Sequence, residues 1–169
     1  GQSVLDALLR SGINAEAFDP LTRPVTELTA YDRAFILLHG RGGEDGQIQG
    51  VLDWLNIPYT GTRVQGSAIG MDKVKTKQIW QGSELPTAPY RLITADTNFN
   101  EVIDKLGLPL IIKPVHEGSS IGMSKVEKTE DFETALSKAT THDSIVMAEQ
   151  WITGSEYTVV ILNGEALPV

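Results

Sequence analysis

Lys113 closes the apolar run Leu110-Ile111-Ile112 and stands directly before Pro114 and the small-residue loop Glu117-Gly118-Ser119-Ser120. A lysine in a strand also suits an exposed sheet edge, where it discourages aggregation. The loop changes the balance. Its unhindered backbone N–H groups and two hydroxyls are donors of the kind phosphate oxygens need, and the ammonium supplies the charge. A second stretch, Ala148-Glu149-Gln150-Trp151-Ile152, leaves a buried-strand pattern and turns into Thr153-Gly154-Ser155-Glu156. Read plainly, it is a strand end with a core tryptophan. Read as a site, it is an adenine slot, where extended backbone meets the base edge, apolar side chains cover the faces, and Glu156 accepts from ribose hydroxyls.

The third stretch is HGRGGEDGQIQG, residues 39–50, with five glycines, a histidine, an arginine and two carboxylates in twelve positions. It follows the apolar run 34–38 and precedes a helical pattern, which invites a dinucleotide-loop reading. That reading fails at Asp45, which occupies the third glycine position of G-x-G-x-x-G, and no G-x-x-x-x-G-K-[ST] phosphate loop can be written here.

The segments HGRGGEDGQIQG, MDKVKTK, IIKPVHEGSSIGMSKV and EQWITGSEYTV occur in the order found in D-alanine–D-alanine ligases of the ATP-grasp superfamily, and the chain resembles that family over essentially its whole length. The resemblance implies that Lys73 and Lys113 contact the phosphates of ATP while Glu117, Gly118, Ser119 and Ser120 fold over them. It implies that Glu149, Gln150, Trp151 and Ile152 frame the adenine and that Glu156 binds the ribose. It sets the glycine loop beside the substrate pocket, with His39 near the reacting carboxylate and Ser119 helping to place the first D-alanine. For His39 a well-bonded histidine at a strand end is the alternative. The implied chemistry transfers the γ-phosphoryl group of ATP to one D-alanine, and the amine of a second attacks the resulting acyl phosphate, with Mg2+ and lysines neutralising charge. The family's substrate-binding glutamate is expected before Gly1, and its magnesium ligands and oxyanion-stabilising arginine after Val169, so residues 1–169 alone are expected to be inactive. Such ligases are commonly homodimers. A different carboxylate–amine or depsipeptide ligase of the same superfamily, or a non-catalytic nucleotide-binding module, are the competing readings.

The elements that must hold these residues follow from periodicity. A helix is predicted over 3–11, a short strand over 14–18, a strand over 34–38, a helix through Ile48, Val51, Leu52 and Leu55 at i, i+3, i+4, i+7, and a short strand over 57–60. This is parallel α/β grammar, in which ligands gather at the carboxyl ends of strands. Near residue 72 the grammar changes. A helix to Gly82, a strand over 88–93, a helix through Phe99, Val102, Ile103 and Leu106, a hairpin of 110–114 with 121–126, a helix from Thr129 and a strand over 144–149 follow. A last hairpin is turned by Asn163-Gly164. The expected fold class is an N-terminal parallel α/β domain, the pre-ATP-grasp domain of the resemblance, over 1–72. An α+β ATP-grasp central domain over 73–156 follows, with the start of a C-terminal domain over 157–169.

Composition narrows the partners. A formal charge of -8 disfavours nonspecific binding to nucleic acid or anionic membrane, so any phosphate site must be local. Without cysteine the chain has no disulfide, thiol nucleophile or thiolate metal site, and no run of about twenty apolar residues suggests a membrane span. A cytoplasmic location is the default expectation.

Overall fold

The computed structural model describes residues 1–169. Its first helix, α1 (Gln2–Arg10), carries Val4, Leu5, Leu8 and Leu9 at helical spacing. The strand expected over 14–18 does not form. Its aromatic residue serves side-chain packing instead: Phe18 meets Tyr31 edge-on with ring centroids 6.0 Å apart, under the Arg23 guanidinium at 4.5 Å. The expected strands 34–38 and 57–60 reduce to one parallel bridge, Ala34 with Tyr59. Its ladder stops at once because the next available donor, the Ile36 N–H, bonds the Thr60 hydroxyl at 3.2 Å rather than a carbonyl. The parallel sense matches the α/β reading. Helix α2 (Gln47–Trp54) starts at Gly46, whose φ is 95°. A Cβ there would stand 2.8 Å from the Val64 carbonyl oxygen. Left-handed backbone and close approach together admit glycine alone. Leu28, Ile48, Leu52 and Ile57 form the core of this half.

Helix α3 (Val64–Met71) was not expected, since Gly66 and Gly70 weaken its propensity. The Ser67 hydroxyl bonds the Thr62 carbonyl at 3.1 Å, and Gly66 lets the helix close on Thr62, whose Cγ2 a Cβ would strike. Helix α4 (Lys73–Gly82) follows at once, capped by Asp72, whose carboxylate accepts from the Lys75 N–H at 2.9 Å.

The next strands build a four-stranded antiparallel sheet. Strand β1 (Tyr90–Ile93) leads to helix α5 (Phe99–Leu106), then β2 (Leu110–Pro114), β3 (Ser124–Val126), helix α6 (Phe132–Thr140) and β4 (Val146–Gln150), in the order β1-β4-β2-β3. Strand β3 starts later than expected because Ser119, Ser120 and Gly122 all have positive φ and turn the chain before it can pair. Leu110, Ile112, Val126, Val146 and Ala148 face α5 and α6, where Phe99 and Phe132 stack with centroids 4.2 Å apart. Alternation sends Ile111, Lys113, Met147 and Glu149 to the opposite face, which α4 covers in part through Val74. Strands β5 (Ile161–Leu162) and β6 (Glu165–Ala166) form the final hairpin. Asn163 and Gly164 turn it at φ 52° and 86°. Positive φ at both central residues is what a type I′ turn requires. No helix is long and apolar enough to cross a membrane.

Candidate functional site

Lys113 lies on an inner strand, so the edge-strand reading does not hold. It shares a sheet face with Glu149 on the neighbouring strand, where Lys113 pairs with Met147 and Ile111 with Glu149, making Lys113 and Glu149 diagonal neighbours. Their side chains form an ion pair, and the second oxygen of the same carboxylate pairs with Lys77 from α4. Lys77 also donates to the Thr87 hydroxyl at 2.6 Å, and its ammonium stands 5.4 Å from the centre of the Tyr90 ring. A cavity of about 390 Å³ opens over this face, lined by Ile111, Lys113 and the continuous segment 149–156. Six of the residues singled out in the sequence therefore meet in one place: Lys113, Glu149, Gln150, Trp151, Ile152 and Glu156.

The rim of this cavity has backbone capacity to spare. The N–H groups of Gln150 and Trp151 are taken by the carbonyls of Pro89 and Pro109 at 3.0 and 3.2 Å, and Ile152 carries the first N–H on the segment with no partner in the protein. Its side chain is exposed, as suits an apolar surface that covers a flat ligand. Lys125 places its ammonium 4.9 Å from the centre of the Trp151 ring.

The hairpin loop lies outside that lining. None of the N–H groups of Glu117, Gly118, Ser119 and Ser120 has a partner in the protein, while the Ile121 N–H closes the turn on the Gly118 carbonyl at 3.0 Å. Ser119 and Ser120 occupy left-handed backbone at φ 50° and 60°. Such backbone is uncommon for residues other than glycine and is found disproportionately at functional sites. Lys73, at the start of α4, donates to the carbonyls of Val115, at 3.2 Å, and Glu117. Burial, followed by the like charge of Lys113, holds its ammonium below the ordinary lysine range. Beneath the loop, His116 spans two carboxylates: Nδ1 is 2.9 Å from Asp143 and Nε2 is 3.5 Å from Asp72. Burial of the Asp143 carboxyl works to raise its pKa, but the N–H groups of Ile145 and His116 donate to it and hold it below the usual range.

The glycine loop meets the hairpin loop. Arg41 reaches Glu117 at 3.3 Å, and Glu44 stands 3.8 Å from the position a Cβ on Gly118 would take. Glu44 also accepts from the Gly40 N–H at 2.6 Å, and Asp45 accepts from Gly42 at 2.9 Å, so both carboxylates shape the loop internally. His39 is largely exposed, 3.9 Å from Glu44 and outside the cavity lining. Sequence reasoning missed Lys77, Arg41, His116 and Asp143. Lys77 had a usable signal: it lies one helical turn beyond Lys73 in MDKVKTK, on the same helix face. No group of three or more His, Asp or Glu side chains gathers here to hold a metal ion.

Residues 79–169 match the family described as D-ala D-ala ligase C-terminus, and residues 10–62 match D-ala D-ala ligase N-terminus. The chain is 78% identical over all 169 residues to a D-alanine--D-alanine ligase of Acinetobacter baylyi, covering 55% of that protein. It is 57% identical to the enzyme of the same description from Psychrobacter sp., covering 51% of it. The chain thus spans about half the length of the curated relatives it matches. Among solved structures, D-alanine--D-alanine ligase from Bacillus anthracis superposes with a TM-score of 0.78 at 37% identity, over 87% of this chain and 50% of that one. D-alanyl-alanine synthetase A from Vibrio cholerae gives 0.72 at 27% identity, over 80% and 43%.

Proposed function

The chain belongs to the D-alanine–D-alanine ligase family, and from that premise we propose that the full-length protein joins two D-alanines at the expense of ATP, supplying D-alanyl-D-alanine for peptidoglycan. The observation that carries the reading is the cavity in which Lys113, Glu149, Gln150, Trp151, Ile152 and Glu156 converge. A nucleotide fits its chemistry. The free Ile152 N–H and the apolar faces of Trp151 and Ile152 suit a base, and Glu156 suits ribose hydroxyls. Lys113, Lys73 and the unpartnered N–H groups of Glu117, Gly118, Ser119 and Ser120 suit the phosphates. In this reading residues 1–72, 73–156 and 157–169 belong to the N-terminal, central and C-terminal domains. Separate apolar cores on either side of residue 72 support the first division.

The proposed reaction has two steps. A carboxylate oxygen of the first D-alanine attacks the γ-phosphorus, forming a C–O–P linkage as the bond to the β-phosphate oxygen breaks and ADP leaves. The amine of the second D-alanine then attacks the acyl carbon, a proton is lost from nitrogen, and inorganic phosphate departs. The lysines hold the phosphates and offset their charge. His39 and Ser119 are proposed to lie beside the first D-alanine, with the hairpin loop closing over the site to keep water from the acyl phosphate. Magnesium, which shields phosphate charge in such transfers, finds no cluster of protein ligands among these residues, and its ligands are proposed to lie elsewhere in the full-length protein. A cytoplasmic homodimer completes the proposal.

The test is ADP release by the full-length protein with ATP, magnesium and D-alanine. Release that depends on D-alanine, with the dipeptide as product, is expected. Tight ATP binding without amino-acid-dependent turnover overturns ligation in favour of a nucleotide-binding module. Turnover with a different carboxylate–amine pair overturns the substrate assignment alone.

A further inference from the structure

Two lysines address one carboxylate at the floor of the cavity, and they are not equivalent. Lys77 is buried, does not line the cavity, and has three neighbours to satisfy it: Glu149, the Thr87 hydroxyl and the Tyr90 ring face. Lys113 lines the cavity and has a single polar partner, Glu149. The carboxylate is itself buried, so whichever lysine stays with it determines whether the other is free.

We infer that Lys77 is a positioning residue that holds Glu149 so that Lys113 can leave it for an incoming polyphosphate. The inference rests on the nucleotide reading of the cavity and concerns how that cavity becomes ready. Before nucleotide arrives, Glu149 is the counter-ion of Lys113 and keeps its side chain folded onto the sheet. A polyphosphate offers Lys113 a stronger, multiply charged partner. If Glu149 had no other cation, that exchange would strand a buried carboxylate, at a cost of several kcal/mol in general. Lys77 removes the obstacle, because one oxygen of Glu149 stays paired whatever Lys113 does. The remaining neighbours of the cluster do not substitute for it. Lys73 is engaged with the carbonyls of Val115 and Glu117, and Thr87 and Tyr90 carry no positive charge. Lys77 thus acts on phosphate binding without touching the phosphate.

The inference requires an effect of Lys77 that passes through Glu149. In the full-length protein, Lys77→Met is expected to weaken ATP binding by at least about tenfold, because Lys113 is then retained by Glu149, while binding of adenosine, which has no phosphate, is unchanged. Neutralising the carboxylate removes the competition, so Lys77→Met in a Glu149→Gln background is expected to leave ATP affinity equal to that of Glu149→Gln alone. This pair also removes the stranded charge and remains informative if the single variant fails to fold. An equal loss of ATP affinity from Lys77→Met in both backgrounds overturns the inference, since Lys77 would then act directly through its charge. Unchanged ATP affinity in Lys77→Met overturns it too. Wild-type protein that binds no ATP refutes the nucleotide reading instead, so the two failures are distinguishable.

Discussion

The guanidinium of Arg41 lies 3.3 Å from the carboxylate of Glu117, joining the glycine loop of the N-terminal half to the hairpin loop of the sheet. The arginine side chain is 62% exposed and the glutamate 17%. An ion pair so open to solvent is worth on the order of 0–1 kcal/mol. Arg41→Ala is therefore expected to leave the melting temperature nearly unchanged while accelerating amide exchange at Ile121, whose N–H closes the hairpin loop on the Gly118 carbonyl, by up to about fivefold. Exchange mass spectrometry on nucleotide-free protein measures it. Unaltered exchange would mean that the two loops are held together by backbone packing alone.

Lys113→Met is expected to weaken ATP binding by about ten- to a hundredfold, the effect of losing one charge-assisted bond to phosphate. Lys105, exposed near the end of α5, serves as the control, and Lys105→Ala should change neither affinity nor turnover. Calorimetry with a non-hydrolysable ATP analogue compares the two. Equal, small effects would remove Lys113 from the phosphate site.

The four N–H groups of residues 117–120 have no partners in the protein, so nucleotide should supply them and slow their exchange. Gly118→Pro, which deletes one donor and fixes φ, is expected to depress turnover. Unchanged exchange at saturating analogue and magnesium would sink the closing-loop assignment for Ser119 and Ser120.

Asp143 bears on acid stability. Its folded-state pKa is depressed below the ordinary value near 3.8, so its contribution is complete above that value and is lost as pH falls through the lower folded value. Asp143→Asn removes this dependence. Relative to wild type, the variant should lose most stability near neutrality and progressively less below about pH 4, a convergence that denaturant titrations at several pH values would follow. A constant gap across that range would assign the loss to packing rather than to the carboxylate.

The helices with a single strong apolar stripe, α2, α5 and α6, were legible because their spacing alone determines which face is buried. Strand β2 was legible as an apolar run that ends at Lys113-Pro114, and the last hairpin from the Asn163-Gly164 pair that turns it. Strands 14–18, 34–38 and 57–60 misled because local composition, even the apolar run 34–38, states a preference for burial and not a hydrogen-bonding partner, and only Ala34 and Tyr59 pair in a bridge. Helix α3 was hidden by its two glycines, of which Gly66 serves a close contact with Thr62 rather than a local preference. At the site, the type and order of residues pointed to Lys113 and to 149–156. The pairing of Lys77 with Glu149 was beyond reach because it depends on how α4 lies across the sheet, a relation between segments that no periodicity within either one encodes.

The strand order β1-β4-β2-β3 has a consequence for how the protein is made. Strand β4 is the last of the four to leave the ribosome, yet it sits between β1 and β2, so β1 waits for its partner while the β2–β3 hairpin can close as soon as it emerges. The contacts that define the cavity floor join residues 36 and 72 positions apart. Such distant closures come late in folding because the entropy of the intervening loop must be overcome first. A nascent chain halted before Val146 has neither β4 nor the segment 149–156, so the cavity over this sheet exists only once synthesis has passed that strand and the sheet has closed.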